Sequence, residues 1–549
     1  MTLLSPDPRS AAPVDGRYGA VSAAHPLAAR AGAVILEQGG NAIDAAVATA
    51  AALNVVEPFM SGLGGMGVAV IRIAETGEVH ALDFVPPVPV EFPPRDARRR
   101  AELLVGARAV GIPGNLAGWD AAARRFGSLS FDELLAPAIS LANDGYELSA
   151  FAAGEFRAAA ETIAAKGEEF LARWMRQYAG PAGEVARPGA LIRQPALART
   201  FEAIACDGVG VVYGGRIGQD MVALARQHGS TLTVADLEAY QPVWREPLIQ
   251  NYRQLRIHVP PPPSEAFQFL LGMKLIEQLP RHRPIADEVT WLHQLMRAIR
   301  LAAGERVRWN LPDADRLEQL FDSSNLESLA ARLCAEGVLE GPVEHALEPL
   351  PDVPEQHTTS FSAVDRDGNA VCVTQSLGSP FGAGLVLDQH GICLTNLLAW
   401  GDLHPGGPKR LLPRGLLALP IAPSVSVSSD GSVLAMGTPG SYGIPQTQTQ
   451  VIVQHIDRGA SIQQAISAPR FRLMDGRKVL IERRVPEAVL EGLAALGHDI
   501  ERAPDWTRLV GGVHAASVDR SGLVFDGGAD PRRDGAVVFA QCSDQTSMR

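Results

Sequence analysis

The run Glu355-Gln-His-Thr-Thr-Ser-Phe-Ser362 sets hydroxyl side chains at 358, 359, 360 and 362 directly after a Pro-rich, acidic stretch, residues 341–357. That stretch (GPVEHALEPLPDVPEQH) has no hydrophobic periodicity and reads as an exposed, mobile linker. A hydroxyl at the junction of a linker and a strand has two readings. On the residues alone the stronger one is simply a strand start. The other is a self-processing site, which needs an accessible bond and a hydroxyl held rigidly enough to attack the preceding carbonyl.

Other patterns that could carry chemistry do so less well. Gly62-Leu-Gly-Gly-Met-Gly67 satisfies G-x-G-x-x-G, but a dinucleotide site needs a strand before it and a helix after. Here the order is reversed, so a tight turn with close backbone approach is the better reading. Asp365-Arg-Asp-Gly-Asn369 begins like a calcium loop but lacks the terminal Glu and sits between two strand patterns, which favours a hairpin turn. No H-E-x-x-H, G-x-S-x-G or Walker sequence is present. The five cysteines (Cys206, Cys334, Cys372, Cys393, Cys542) show no metal-ligand spacing, and their odd number suits free thiols. Cys372 and Cys393 lie in apolar stretches and read as small core residues.

The chain has 549 residues, 46% of them hydrophobic and 20% charged, enough for a large core without disulfides or metal. A net charge of −12 argues against a nucleic-acid partner, since phosphates call for a basic surface. The runs Arg98–Arg99–Arg100 and Lys409–Arg410 read as solvated faces. Met1 to Gly16 has no apolar signal core, which leaves the cytoplasm as the default location. Ala42 to Met60 is apolar but Ala-dominated and contains Asp44, Asn54, Glu57 and Pro58, so a buried helix is expected rather than a membrane span.

The elements that must position these residues follow from the pattern. Residues 26 to 56 predict two small-residue helices broken at Gly39–Gly40, the second capped by Asn41. Val68–Ile73 and Val79–Phe84 predict a hairpin, and residues 360–364 and 370–377 another. From Ser128 to Ala330 the texture is mainly helical, and Pro260–Pro263 must be an extended turn. After the linker, short strands run to the C-terminus with one helical piece at Ile462 to Ile466. Helices early and strands late suit sheets covered by helices on their outer faces.

The wider sequence resembles the gamma-glutamyltranspeptidase family over nearly its whole length, from about Ala24 to about Phe539. The blocks that carry the resemblance are AAHPLAARAGAVILEQGGNAIDAAVA (Ala23 to Ala48), GLGG (Gly62 to Gly65), GIPGNLAGW (Gly111 to Trp119) and LLAPAISLANDGY (Leu134 to Tyr146). They continue with LTVADLEAY (Leu232 to Tyr240), VPPPPS (Val259 to Ser264), TTSFSAVDRDGNAVCVTQSLGSPFGAG (Thr358 to Gly384), GTPGSYG (Gly437 to Gly443) and AISAPRF (Ala465 to Phe471). The resemblance implies an α/β (α+β) fold, the four-layer αββα sandwich of N-terminal nucleophile hydrolases, built from two fragments of one precursor. The fragments would be 1–357 and 358–549, cut between His357 and Thr358.

By position, the resemblance makes Thr358 the nucleophile and its freed α-amino group the base. Ser376 stands where the family has a Thr bonded to the nucleophile. Gly440 and Ser441 match a Gly-Gly pair whose N–H groups form the oxyanion hole, and Thr359 positions its neighbour. The substrate pocket departs from the family. Val85 stands in place of an Arg, Gly378 in place of an Asn, and Thr395-Asn-Leu-Leu-Ala-Trp400, with Asn396 and Trp400 in the pocket, in place of N-N-x-M-D-D. Leu419–Pro420 align with a Ser-Ser pair. Apolar groups there would leave a glutamyl zwitterion unpaired, at several kcal/mol per charge on the order expected for buried ions.

The expectation is therefore an autoprocessing N-terminal-threonine amidohydrolase or acyltransferase acting on a small-molecule amide with a non-glutamyl acyl group. Water or an amine accepts the acyl group, and no cofactor, metal, nucleic acid or membrane is involved. The two fragments form a heterodimer that is open to further dimerisation. Oxamate amidohydrolases and cephalosporin acylases of the same superfamily show that the pocket can be retuned. The competing readings are a true glutathione hydrolase with anchors at Arg410, Arg414 or Asp402, a relative that cleaves C–C bonds, and a non-catalytic binding relative.

Overall fold

Asn41 starts the helix that the Ala-rich run predicts. In the computed structural model, which describes residues 17–93, 101–279, 287–334, 337–344, 358–401 and 410–541, its side chain accepts the N–H groups of Ile43 and Asp44. The Asp44 carboxylate accepts the Asn41 N–H in return, so two otherwise unpaired helix-end donors are satisfied. The stretch expected as an exposed linker, 341–357, is anchored where it begins: Val343 is buried in the core, and the Val343 and Glu344 N–H groups donate to the Asp475 carboxylate. The rest of it, from 345 to His357, the N-terminal sixteen residues, Arg98–Arg99–Arg100, Asp402, Lys409 and Cys542 lie outside the described residues.

Two sheets face each other. The first has seven strands: β1 (Arg17–Ala23), β2 (Met66–Arg72), β3 (Val79–Phe84), β4 (Val243–Arg245), β7 (Thr359–Asp365), β8 (Ala370–Ser376) and β13 (Ala536–Gln541). Its order is β13-β1-β7-β8-β2-β3-β4. The second has six strands: β5 (Leu248–Tyr252), β6 (Leu255–Val259), β9 (Ser424–Ser428), β10 (Val433–Gly437), β11 (His514–Val518) and β12 (Phe525–Ala529), in the order β12-β11-β10-β9-β6-β5. Small residues such as Ala20, Val70, Val364, Cys372, Ala435 and Ala516 fill the gap between the sheets and let them pack closely.

The outer face of the first sheet carries α1 (Pro26–Glu37), α2 (Ala42–Val56) and α3 (Asn115–Phe126), with α4 (Phe131–Asp144) and α5 (Pro195–Asp207) packed beyond them. The second sheet is covered by α6 (Phe267–Glu277), α8 (Ile444–Ile456) and α9 (Ile462–Ser467), backed by α7 (Glu288–Trp309) and α10 (Glu487–Ala495). This is the expected αββα layering. α2 is buried at every position, as its uniformly small, apolar sequence requires, and no helix among the described residues is long and apolar enough to cross a membrane.

The two predicted hairpins are present, β2–β3 and β7–β8. At the second, the Asp365 carboxylate accepts the N–H groups of Asp367 and Asn369, and Gly368 adopts φ +88°, so the turn is held by its own side chain. Two readings need correction. The nominally helical middle contains the β5–β6 hairpin, whose turn is Arg253–Gln254 with Arg253 at φ +52°, so no Gly or Asn announces it. Among the described residues, the last third holds three helices of six residues or more rather than one. α8 (IPQTQTQVIVQHI) alternates Thr and Gln with β-branched residues in a strand-like way, yet Pro445 opens it and Ile444 to Val453 are buried throughout.

Candidate active site

Antiparallel pairing sets Thr359 opposite Gln375, which brings the residue before one and the residue after the other together. Thr358 Oγ1 donates to Ser376 Oγ at 3.2 Å, and Ser376 Oγ accepts the Gly378 N–H at 2.9 Å. Both hydroxyl residues are almost fully buried. Glycine makes room for this junction. A Cβ on Gly65 would lie 2.4 Å from the Ser376 carbonyl oxygen, and one on Gly64 would lie 2.2 Å from that of Cys393. The G-x-G-x-x-G stretch is thus a backbone contact.

Gly437, the last residue of β10, packs on Ser360, since a Cβ there would fall 2.2 Å from Ser360 Oγ. The chain leaving β10 therefore emerges at the end of the sandwich where Thr358 enters. Three residues on, Gly440 takes φ +134° and Ser441 φ +58°, and a 3-10 turn (Ser441–Gly443) leads into α8. Backbone N–H groups at such a helix start are not consumed within the helix and favour negative charge.

The positions expected to bind substrate come together. Val85, Leu397, Trp400, Leu411, Leu419 and Tyr442 belong to one apolar cluster, and the Trp400 and Tyr442 rings lie 6.1 Å apart. Asn396 Nδ2 donates to the Leu104 carbonyl and to Ser379 Oγ, both at 2.9 Å, which turns Oδ1 toward Gly378. A Cβ on Gly378 would lie 2.2 Å from that Oδ1 and 3.4 Å from Trp400 Nε1, and Gly378 has φ +98°. Space and backbone both require glycine, so Gly378→Ala is expected to lower stability by about 1–3 kcal/mol in a thermal or urea melt. Arg410 and Arg414 are exposed, and Leu419–Pro420 are buried.

Behind the strand, on the α2 side, the Thr359 hydroxyl faces the Glu57 carboxyl just outside strict hydrogen-bond geometry. Burial pushes Glu57 up to about 7, against the lowering effects of Arg533 and the Thr359 hydroxyl. Glu57 Oε1 is 4.0 Å from Arg533 Nη1, with each side chain 3% exposed. Sequence reasoning missed Glu57, Arg533 and Tyr442 as neighbours of the site. The available signal was an acid, Glu57, at the C-terminal end of a helix that is buried at every position. Cys372 and Cys393 are buried as expected, and burial raises their thiols to about 11 and about 12, well away from nucleophilic thiolates.

A family model described as gamma-glutamyltranspeptidase matches residues 28–540. The chain is 30% identical to the glutathione hydrolase proenzyme of Bacillus subtilis, over 95% of this chain and 92% of that one. It is 32% identical to the acylase ACY 1 proenzyme of Pseudomonas sp. (strain V22), over 96% and 94% of the two chains. Among solved structures it is similar to the cephalosporin acylase from Bacillus halodurans, with TM-score 0.85, 28% identity and coverage of 97% and 98%.

Proposed function

The chain belongs to the gamma-glutamyltranspeptidase family of N-terminal nucleophile hydrolases, as an amidohydrolase or acyltransferase, and from that premise we propose that Thr358 is its nucleophile and that its acyl substrate is not glutamyl. The observation that carries the first part is the 3.2 Å hydrogen bond from Thr358 Oγ1 to Ser376 Oγ at the sandwich end where the Gly440–Ser441 turn emerges. In the precursor the Thr358 hydroxyl attacks the carbonyl carbon of His357. The C–N bond breaks as an ester forms, and water then hydrolyses that ester, releasing fragments 1–357 and 358–549.

The freed Thr358 amine has an ordinary pKa of about 7.7–8.0 and takes the hydroxyl proton during turnover. Ser376 orients the hydroxyl. The attack places negative charge on the carbonyl oxygen of the substrate, which the Gly440 and Ser441 N–H groups stabilise. The leaving amine departs with a proton, and water or a second amine releases the acyl group.

Support for a non-glutamyl acyl group comes from the wall formed by Val85, Trp400, Leu419 and Tyr442, which presents apolar side chains where a zwitterion would need charged ones. The proenzyme and acylase names of the relatives agree with a processed enzyme acting on small-molecule amides. Trapping tests the assignment. Processed protein mixed with a slowly hydrolysed amide and quenched should carry the acyl mass on the peptide beginning TTSFSAVD. Label on any other residue would remove Thr358 from the role.

Ser441 occupies a left-handed conformation that costs an L-residue about 1–2 kcal/mol. Ser441→Gly relieves that cost while adding unfolded-chain entropy of about 0.5–1 kcal/mol, and it keeps the backbone donor. It is expected to retain most of the activity and to melt within a few degrees of the parent. An inactive, correctly processed Ser441→Gly would give the side chain a chemical role.

A further inference from the structure

We propose that the buried Glu57–Arg533 pair is a positioning device for this reaction, tying the strand start that carries Thr358 to the turn that carries Gly440. The proposal rests on Thr358 being the nucleophile. Glu57 reaches the catalytic segment first through its backbone. Its carbonyl accepts the Met60 N–H at 3.0 Å, and the Met60 carbonyl accepts the N–H of Leu377, the neighbour of Ser376, at 3.1 Å. Its side chain then faces Thr359, one residue from the nucleophile.

Arg533 makes the second half of the link. A Cβ on Gly512 would lie 2.5 Å from Arg533 Nε, so the guanidinium lies against that glycine. The Gly512 N–H is held by Thr438 Oγ1 at 3.0 Å, and Gly511 Cα lies 3.4 Å from where a Cβ on Gly440 would sit. A displacement of Arg533 is therefore felt by the turn preceding α8 as well as by Glu57. Nothing about stability calls for charge here, since apolar side chains of similar volume usually serve a buried site as well or better. What a charged pair adds is a fixed distance between two elements that must stay in register.

The groups facing Glu57 are Arg533, Asp534 and Glu155, and Glu155 is itself paired with Arg508 at 3.2 Å. Asp530 and Arg508 also face Arg533. Burial pushes the Glu57 carboxyl up to about 7, so its charge changes around neutral pH. When ionised it favours the ammonium form of the Thr358 amine one residue away and raises that amine's pKa. Glu57→Gln removes this effect, and the acid limb of the kcat profile should move to lower pH. The stability sign is separate. A carboxyl raised from 4.5 to about 7 on folding gives stabilisation that is full below 4.5 and is lost as pH rises through 7. Glu57→Gln should flatten that part of the Tm profile.

The experiment uses processed full-length enzyme and an amide that the parent hydrolyses, with kcat and KM followed from about pH 5 to 9. Glu57→Gln is expected to lose on the order of 10- to 100-fold in kcat, as for small misplacements of reacting groups, with KM within about twofold and the acid limb shifted. Arg533→Lys should recover kcat that Arg533→Met loses. A folded Glu57→Gln with the parent's kcat and acid limb overturns the proposal. Should Glu57→Gln not fold, equal kcat in Arg533→Lys and Arg533→Met overturns it instead. Thr358→Ala, run in parallel, separates the two readings. Activity persisting there removes the nucleophile and this proposal together. An unshifted Glu57→Gln beside an inactive Thr358→Ala removes only the role of the ion pair.

Discussion

Thr358→Ala is expected to migrate as one unprocessed chain on a denaturing gel and to lose turnover by a factor on the order of 10⁴–10⁶, the scale seen when a covalent nucleophile is deleted. The physical reason is that one oxygen does both jobs. On the proposed assignment it attacks the preceding carbonyl in the precursor and the substrate in the mature enzyme, so no residual route would remain for either. The fold should survive. The methyl and hydroxyl removed from Thr358 sit just before β7, which pairs with β8 from Thr359 onward and with β1 from Ser362 onward through backbone hydrogen bonds. A melting curve close to the parent's is therefore the control. Thr358→Ser keeps an attacking oxygen and loses only the methyl that holds it, so it should cleave slowly and retain partial activity. Ser376→Ala leaves the Thr358 hydroxyl without its 3.2 Å partner and should slow both steps without abolishing either. Cleavage persisting in Thr358→Ala, read by N-terminal sequencing, is the result that would end this assignment.

The second large effect concerns the acyl group. A γ-glutamyl amide brings a carboxylate and an ammonium, and each needs a charged or strongly polar partner once out of water. The proposed non-glutamyl pocket rests on Val85 and Trp400 taking the positions of the family's Arg and acidic residue, and both lie in the cluster with Leu419 and Tyr442. Gly378 cannot be rebuilt as Asn without moving Asn396, whose oxygen already occupies that space. Losing two charge-assisted hydrogen bonds at about 1.5–3 kcal/mol each lowers kcat/KM by roughly 10² to 10⁴. Processed enzyme assayed with γ-glutamyl-p-nitroanilide beside aliphatic, aromatic and oxalyl amides should show that gap in favour of an uncharged acyl group. A γ-glutamyl kcat/KM equal to the best of the others would show that a charge reaches the pocket by another path. Arg410 and Arg414 are the first candidates to delete in that event, although both point to solvent.

Much of this was legible in the residues because the relevant forces are local. Asn41 before an Ala-rich run specifies a helix start, and Asp365-Arg-Asp-Gly-Asn369 specifies a turn by side chain and by φ. The β7–β8 hairpin then fixes the Thr358–Ser376 contact through register alone. The elements that stayed hidden are those decided by tertiary burial. α8 has a strand's composition and becomes a helix because its whole circumference is packed. β5–β6 turns at Arg253–Gln254, whose residue types give no turn signal, and is held by pairing with β9. The Glu57–Arg533 pair spans almost the entire chain, a juxtaposition that no local pattern encodes.

The strand order of the first sheet has a consequence for the life of the molecule after cleavage. β7 lies between β1 and β8, and β13 lies on the far side of β1, so β1 is clamped on both edges by segments from beyond residue 358. A break before Thr358 interrupts the covalent chain and leaves every one of those ladders in place. The halves are interlaced, and separating them means dismantling the sheet. Melting of the mature enzyme is thereby a dissociation, so its midpoint should climb with protein concentration, whereas that of uncleaved Thr358→Ala should not. Once apart, the halves would have to find each other again in solution to rebuild the sheet. If the proposed cut occurs, the precursor's single chain is what brings β1 between its two neighbours in the first place, and the cut would turn that assembly into one the cell makes once.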